Sequence, residues 1–278
     1  MPATPAPWNT RYPGYALVTG ASAGLGAVFA ERLAARKMPV VLVARRLERL
    51  DALAQELSAR HGVEALCVQS DLTSPGAIPA LVSALEGRHV SLLVNNAGFG
   101  LSSPFHLADP ATLDAMVRLN CLVPTMLARQ FVPPMIERRC GGHILLGSVA
   151  AFQPVGHFSV YAATKTYNLM LGEALWAEHR HLGVDTLVLA PGLTATEFQS
   201  VSGTKAIMGR MAPEPVVEAA LRALGRRPTV VPGLANKVTT FMPRLAPRGA
   251  LAILVEWLGR RMMPDTLQEA WRDAITRR

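Results

Sequence analysis

Tyr161 and Lys165 stand four residues apart in a stretch that opens a helix near Ser159, so both side chains leave one helix face about a turn apart. A free phenol gives up its proton near pH ~10, and an ammonium a few ångströms away favours the phenolate. The pair is expected to draw the Tyr161 pKa down toward the range where it exchanges a proton at neutral pH. Ser148 follows a buried apolar run (144–146) and lies thirteen positions before Tyr161. A strand end followed by a helix can bring its hydroxyl and the phenol onto one substrate oxygen. Tyr167, the neighbouring alternative, has no lysine at that offset. The chemistry so read is proton transfer to or from a substrate oxygen, with Tyr161 as the candidate acid/base.

Upstream, an apolar run (15–18) meets Thr19-Gly20-Ala21-Ser22-Ala23-Gly24-Leu25-Gly26 and then a helical pattern. Glycines between strand and helix leave bare backbone, so a phosphate can approach the helix N-terminus and its unpaired N–H groups. The spacing of Gly20, Gly24 and Gly26 is G-x-x-x-G-x-G, not the common G-x-G-x-x-G, and alone the turn reads equally as a tight bend. The end of the next strand sharpens it. Ala44-Arg45-Arg46 stands where an NAD site usually has an acid on the ribose 2′-hydroxyl, and no acid follows until Glu48. A guanidinium there can hold a 2′-phosphate bidentately, which points to NADP(H); the plainer alternative is two arginines opening a solvated helix.

Other chemistries find less support. The three cysteines, Cys67, Cys121 and Cys140, are far apart and none pair at metal-knuckle spacing, so reduced, half-buried thiols are expected. His179 and His181, two apart on a helix, point in different directions, and no metal site is expected. Ser148 sits in Leu-Gly-Ser-Val-Ala, not in a G-x-S-x-G elbow, and no acid/His pair accompanies it, which argues against a serine hydrolase.

The elements that must position these residues alternate. Strands are expected at 15–18, 38–44, 65–69, 90–94, 143–146, 185–190 and 229–231, and helices at 27–36, 46–60, 75–85, 112–137, 159–181 and 215–224. Several strand runs are β-branched without alternation, as in strands buried on both faces of a parallel sheet. The expected fold class is α/β: a single Rossmann-type doubly wound parallel sheet of about seven strands, helices on both faces, and a C-terminal helical extension. The divisions expected are an N-terminal arm (1–13), a dinucleotide-binding and catalytic domain (14–235) and a basic amphipathic extension (236–278). Residues 193–209 read as a loop.

Half of the 278 residues are apolar and 17% are charged, which supplies a substantial core and excludes a disordered chain. The net charge of +8 comes mainly from scattered arginines with no nucleic-acid motif among them, so a solvated basic surface is expected and a nucleic-acid partner is not. The N-terminus lacks the basic start and apolar stretch of a signal peptide, and no apolar run is long enough to span a bilayer. A cytoplasmic location is the default expectation. The tail, with Pro243, Pro247, Pro264, an apolar stretch (250–257) and many arginines, reads either as packing on its own domain or a sister subunit, or as a basic amphipathic helix on anionic lipid.

Across residues 14–235 the chain resembles the short-chain dehydrogenase/reductase family. Four motifs match in order: the cofactor turn 19–26, Asn95-Asn96-Ala97-Gly98 after the fourth strand, Ser148 with Tyr161 and Lys165, and Pro191-Gly192 after the sixth strand. The resemblance implies that Tyr161 is the general acid/base, that Lys165 lowers its pKa and holds the nicotinamide ribose, and that Ser148 steadies the substrate oxygen. It also implies that Asn120 holds a relay water and that Asp71, with Leu72, contacts adenine. Ser22, Ala23, Leu25, Asn96, Ala97 and Gly98 would join the glycines at the cofactor, and Pro191, Gly192, Thr194 and Thr196 would close on the nicotinamide carboxamide. Which threonine does so stays open, and at least one of Asn95 and Asn96 is expected to stitch strands together. Phe99, Phe152 and Phe158 would border a substrate pocket suited to a hydrophobic ketone or secondary alcohol. The Ala44-Arg45-Arg46 and Val231-Pro232-Gly233 segments resemble the branch with long-chain 3-oxoacyl reductases and hydroxysteroid dehydrogenases, and a broad-specificity carbonyl reductase fits equally. A homodimer or homotetramer through the long helices is implied. A catalytically silent NADP(H)-binding regulatory protein is the alternative, which the intact Asn120, Ser148, Tyr161 and Lys165 set opposes.

Overall fold

In the structure, a computed structural model, residues 7–203, 209–261, 263, 266–269 and 271 are described. The strands are β1 (Tyr15–Thr19), β2 (Val40–Ala44), β3 (Ala65–Gln69), β4 (Val90–Asn95), β5 (Gly141–Leu146), β6 (Val184–Leu189) and β7 (Thr229–Val230). They form one seven-stranded sheet in the order β3-β2-β1-β4-β5-β6-β7, with every pairing parallel. The helices are α1 (Trp8–Arg11), α2 (Gly24–Ala34), α3 (Leu47–His61), α4 (Ala77–Ala84), α5 (Pro110–Val117), α6 (Val123–Glu137), α7 (Ser159–His179), α8 (Phe198–Ser202), α9 (Pro213–Ala223), α10 (Leu234–Phe241) and α11 (Arg248–Arg260).

Both faces of the sheet are apolar because both are covered. Val18, Leu42, Val94 and Leu187 meet Phe29 and Leu33 of α2, Leu50 of α3 and Val217 of α9 on one side. Leu17, Val43 and Leu93 meet Leu81 of α4 and Leu127 and Phe131 of α6 on the other. Leu169 of α7 packs on Val188 of β6, and Gly172 lets the helix come close: a Cβ there would run into the Val188 side chain. Strand order reverses at β1/β4, so a crevice opens at the carboxyl ends of the strands, and the candidate residues sit there.

Two expectations change. The single helix expected over 112–137 is broken: Asp109 caps α5 through the Thr112 N–H, and a π-helical turn, Arg118–Leu122, separates it from α6. Pro124 explains the break, since it has no N–H to return to the Asn120 carbonyl four residues back. The loop expected over 193–209 contains α8, and residues 204–208 of it lie outside the described residues. At the end of α1 the chain is tied to β6: the Tyr12 hydroxyl donates to Asp185 Oδ2 at 2.7 Å and Arg11 Nη2 reaches the same oxygen at 2.8 Å. Burial and that carboxylate hold the Tyr12 phenol well above its ordinary pKa.

In the tail, α10 packs beside a 3-10 turn, Val149–Phe152, and α11 packs on the loop before α7. His157 Nε2 lies 2.8 Å from Glu256 Oε1, and a Cβ at Gly259 would lie 2.7 Å from the Gly156 carbonyl. Among the described residues, no helix is long and apolar enough to cross a membrane and no cluster of three His, Cys, Asp or Glu side chains could hold a metal.

Candidate active site

The inner face of α7 is unusual for a core helix. Tyr161, Lys165, Asn168, Leu169 and Gly172 recur every three or four residues and are buried, so the helical repeat carries a phenol and an ammonium into the protein. Lys165 Nζ donates to the Leu146 carbonyl at the end of β5 at 2.8 Å, and Asn168 Nδ2 donates to the same oxygen at 3.3 Å. Nζ lies 5.8 Å from the centre of the Tyr161 ring. Ser148, two residues past β5, starts the 3-10 turn and its Oγ accepts the Ala150 N–H at 3.1 Å. The structure thus brings Ser148, Tyr161 and Lys165 together.

The expected lowering of the Tyr161 pKa is corrected. Burial pushes the phenol up to about 12, and the Ser148 hydroxyl is the group that opposes the rise. Burial also pushes the Lys165 ammonium down to about 8. Loss of water sets both directions because both groups are deeply buried, and the ammonium is committed to a carbonyl. At neutral pH the phenol is therefore a protonated donor beside a cation.

Asn120 lies in the π turn. Its Oδ1 accepts the Phe99 N–H at 3.1 Å, while Nδ2 donates to the Phe99 carbonyl at 2.9 Å and to Thr164 Oγ1 at 3.0 Å. Thr164 in turn donates to the Tyr161 carbonyl at 2.7 Å. Asn120 acts here as a positioning residue, tying the segment after β4 to the helix that carries the phenol. Gly98 fits between them: a Cβ would lie 2.8 Å from Asn120 Oδ1 and 3.5 Å from Lys165 Nζ.

Aromatic rings close over the phenol. The Phe158 ring packs edge-on to Tyr161 at 4.9 Å and the Phe198 ring at 5.4 Å. Both converge on Gly100, where a Cβ would lie 2.8 Å from Phe198 and 3.1 Å from Tyr161. Phe99 is half-buried, and Phe152 packs with Ala151, Leu169 and Val188. Sequence reasoning missed Phe198 and Gly100; the second glycine of Asn96-Ala97-Gly98-Phe99-Gly100 was the available signal.

The glycine turn is clamped from β4. Thr19 Oγ1 accepts the Asn96 and Ala97 N–H groups, each at 3.0 Å, and Asn96 Nδ2 donates to the Thr19 carbonyl at 2.8 Å. Asn95 instead stitches the sheet, with Nδ2 3.2 Å from the Pro124 carbonyl and 3.0 Å from His143 Nε2. Burial pushes that histidine's pKa down to about 3, so it is neutral. Gly20 and Gly24 adopt φ of 67° and 57°, which favours glycine, and a Cβ at Gly26 would run into the Gly20 carbonyl. The N-terminus of α2 has no side-chain cap, since Ala23 precedes it and Leu25 is within the first turn.

At the end of β2, Arg46 Nε and Nη2 lie 3.3 and 3.1 Å from Ser22 Oγ, and Arg45 is exposed. Asp71 Oδ1 accepts the Thr73 hydroxyl and N–H, which with the charge of Arg45 hold its carboxyl below the usual range. Leu72 is buried in the core beside it. After β6, Pro191 leads to Gly192, which packs on Asn236 of α10. Thr194 is buried with its hydroxyl on the Gly192 carbonyl at 3.1 Å, whereas Thr196 lies against Gly24. An open helix N-terminus, glycines with no room for a Cβ, and a serine bonded to Arg46 fit a dinucleotide carrying a 2′-phosphate.

A family model described as short chain dehydrogenase matches residues 14–206. The very-long-chain 3-oxoacyl-CoA reductase of Anas platyrhynchos is 32% identical over 216 residues, 76% of this chain and 69% of that one. A solved 7beta-hydroxysteroid dehydrogenase superposes with a TM-score of 0.83 at 25% identity, covering 90% of this chain and 99% of that one. A short-chain dehydrogenase from Sphingobium yanoikuyae, solved in complex with NADPH, does so with a TM-score of 0.77 at 32% identity, covering 86% and 95%.

Proposed function

The chain belongs to the short-chain dehydrogenase/reductase family of oxidoreductases, which act on CH–OH and C=O groups, and from that premise we propose that it reduces a hydrophobic ketone with NADPH, Tyr161 supplying the proton. The observation that carries this reading is the buried Ser148, Tyr161 and Lys165 group at the end of β5, beside a glycine turn flanked by Arg45 and Arg46. Gly20, Ser22, Gly24, Gly26, Arg45 and Arg46 would hold the pyrophosphate and 2′-phosphate side of the cofactor, and Asn96 to Gly98, Lys165 and Thr196 the nicotinamide side. Bound there, NADPH supplies a hydride to the carbonyl carbon.

The chain supplies the rest. With its pKa pushed up to about 12, Tyr161 Oη carries its proton at neutral pH and passes it to the carbonyl oxygen as negative charge develops there. Ser148 Oγ–H donates to the same oxygen, a preplaced donor in a dry site. The Lys165 ammonium, charged below about pH 8, stabilises the phenolate left on Tyr161. Asn120 holds the loop and helix in register, and Phe158 and Phe198 exclude water. Those rings, and the 3-oxoacyl-CoA and hydroxysteroid names of two similar proteins, support a hydrophobic substrate. A panel of long-chain, steroidal and small ketones run with NADPH and NADH tests it. Turnover of hydrophobic members with NADPH is expected; cofactor binding without turnover across the panel would leave the silent regulatory protein standing.

Two exposed apolar faces support two partners. Leu122, Met126, Tyr167 and Met170 form one on the long helices and the π turn, suited to a second copy of the chain. The other is on α10, the 3-10 turn Met242–Leu245 and α11, where Leu234, Phe241, Leu245, Ile253 and Trp257 are exposed. Around it Lys237, Arg244 and Arg248 are exposed and make no ion pair among the described residues, while Glu256, the one acid from 234 to 261, is engaged by His157 and Arg260. That charge balance suits an anionic lipid surface on the cytoplasmic side. Co-sedimentation with phosphatidylserine vesicles and not phosphatidylcholine vesicles is expected, lost in Leu245→Asp/Ile253→Asp; a change of oligomeric state instead would assign this face to a second copy.

A further inference from the structure

Glu197 follows Thr196, which lies against the glycine turn, and reaches the arginines that follow β2. Glu197 Oε2 lies 3.0 Å from Arg46 Nη2 and Oε1 lies 2.6 Å from Arg49 Nη1. Arg46 donates at the same time to Ser22 Oγ at 3.1 Å, so the carboxylate and the serine hydroxyl share one guanidinium. The two arginines hold the Glu197 carboxyl below its usual range. Its position is fixed from both sides: Thr196 lies against Gly24, and Phe198 packs on Tyr161 at 5.4 Å.

A carboxylate and a phosphate present guanidinium with the same fork of anionic oxygens, and two anions cannot share it without repulsion. We infer that Glu197 is a built-in competitor for the 2′-phosphate at Arg46 and Arg49, and so a residue that sets how strongly the protein prefers NADP(H) to NAD(H). The inference rests on the NADP(H) reading above. It goes beyond that reading by assigning Arg49 and Glu197 to the subsite and by giving Glu197 a sign: it weakens binding of the phosphorylated cofactor and leaves the unphosphorylated one untouched. Glu197, Arg46 and Arg49 have side chains 47%, 45% and 50% exposed, so water and salt screen the pair and the effect is several-fold, not orders of magnitude.

Calorimetric titration of the full-length protein with 2′,5′-ADP and with 5′-AMP isolates the phosphate from catalysis. Wild type is expected to bind 2′,5′-ADP more tightly than 5′-AMP. Glu197→Gln should tighten 2′,5′-ADP by about 2- to 10-fold with 5′-AMP unchanged, and Glu197→Asp, which keeps the charge, should stay close to wild type. The gain should shrink as salt is raised. Unchanged or weaker 2′,5′-ADP binding in Glu197→Gln overturns the inference and leaves the cofactor reading intact. Equal binding of the two nucleotides by wild type removes the cofactor reading and the inference with it.

Discussion

The floor of the site and its rim are built on different physics. The floor, Ser148, Tyr161, Lys165 and Asn120, is buried on a strand end, the π turn and α7, with Lys165 committed to a backbone carbonyl and Asn120 to a neighbour across the crevice. The rim, Arg45, Arg46, Arg49 and Glu197, is exposed to water, and the last three are held by charges in contact with it. Burial sets proton affinities on the floor, and screened Coulomb contacts set anion preference on the rim. Perturbing the floor should therefore cost orders of magnitude, and perturbing the rim should shift ratios.

The largest effect is expected from Tyr161→Phe, which should lower kcat roughly 10²- to 10⁴-fold with NADPH affinity near wild type, measured by steady-state turnover and a fluorescence titration. Arg45→Asp, on the rim, should move the NADPH/NADH ratio of kcat/KM about 10- to 100-fold toward NADH, as loss of a charge-assisted contact and gain of a repulsive one require. An unchanged ratio would place the phosphate elsewhere. Gly172→Leu attacks the floor's support: α7 must back away from Val188, and overpacking of this kind costs about 1–3 kcal/mol, read as a lower Tm. Least affected should be Leu245→Asp/Ile253→Asp, whose turnover of a soluble ketone should match wild type within about two-fold while vesicle binding is lost, since surface substitutions rarely matter to a distant core.

The same contrast explains what could be read in advance. The parallel sheet of about seven strands and the residues of the floor follow from local signals: both-face apolar strands, glycines at a strand end, and a phenol and ammonium one helical turn apart. The direction of the Tyr161 pKa was not legible, because spacing places a cation near a phenol but says nothing of how much water both lose. The break in the long helix traces to Pro124, which was visible, but its consequence depends on the bonds Asn120 makes across the crevice. Glu197 reaching Arg46, 151 residues away in sequence, and Glu256 reaching His157, 99 away, are tertiary contacts with no periodic signature. Arg11 and Tyr12 on Asp185 belong to the same class.

In the proposed reduction a buried, protonated Tyr161 donates to the substrate oxygen while the charge of Lys165 stabilises the phenolate left behind. Because burial lowers the Lys165 pKa to about 8, its charge is present below that value and lost above it, whereas the phenol stays protonated up to about 12. The direct measurement is the single-turnover rate of ketone reduction by NADPH-loaded enzyme from about pH 6 to about pH 10. A level rate that falls as pH passes about 8, with the fall absent in Lys165→Met, is the predicted result. A wild-type rate that stays level or climbs across the whole range would contradict it.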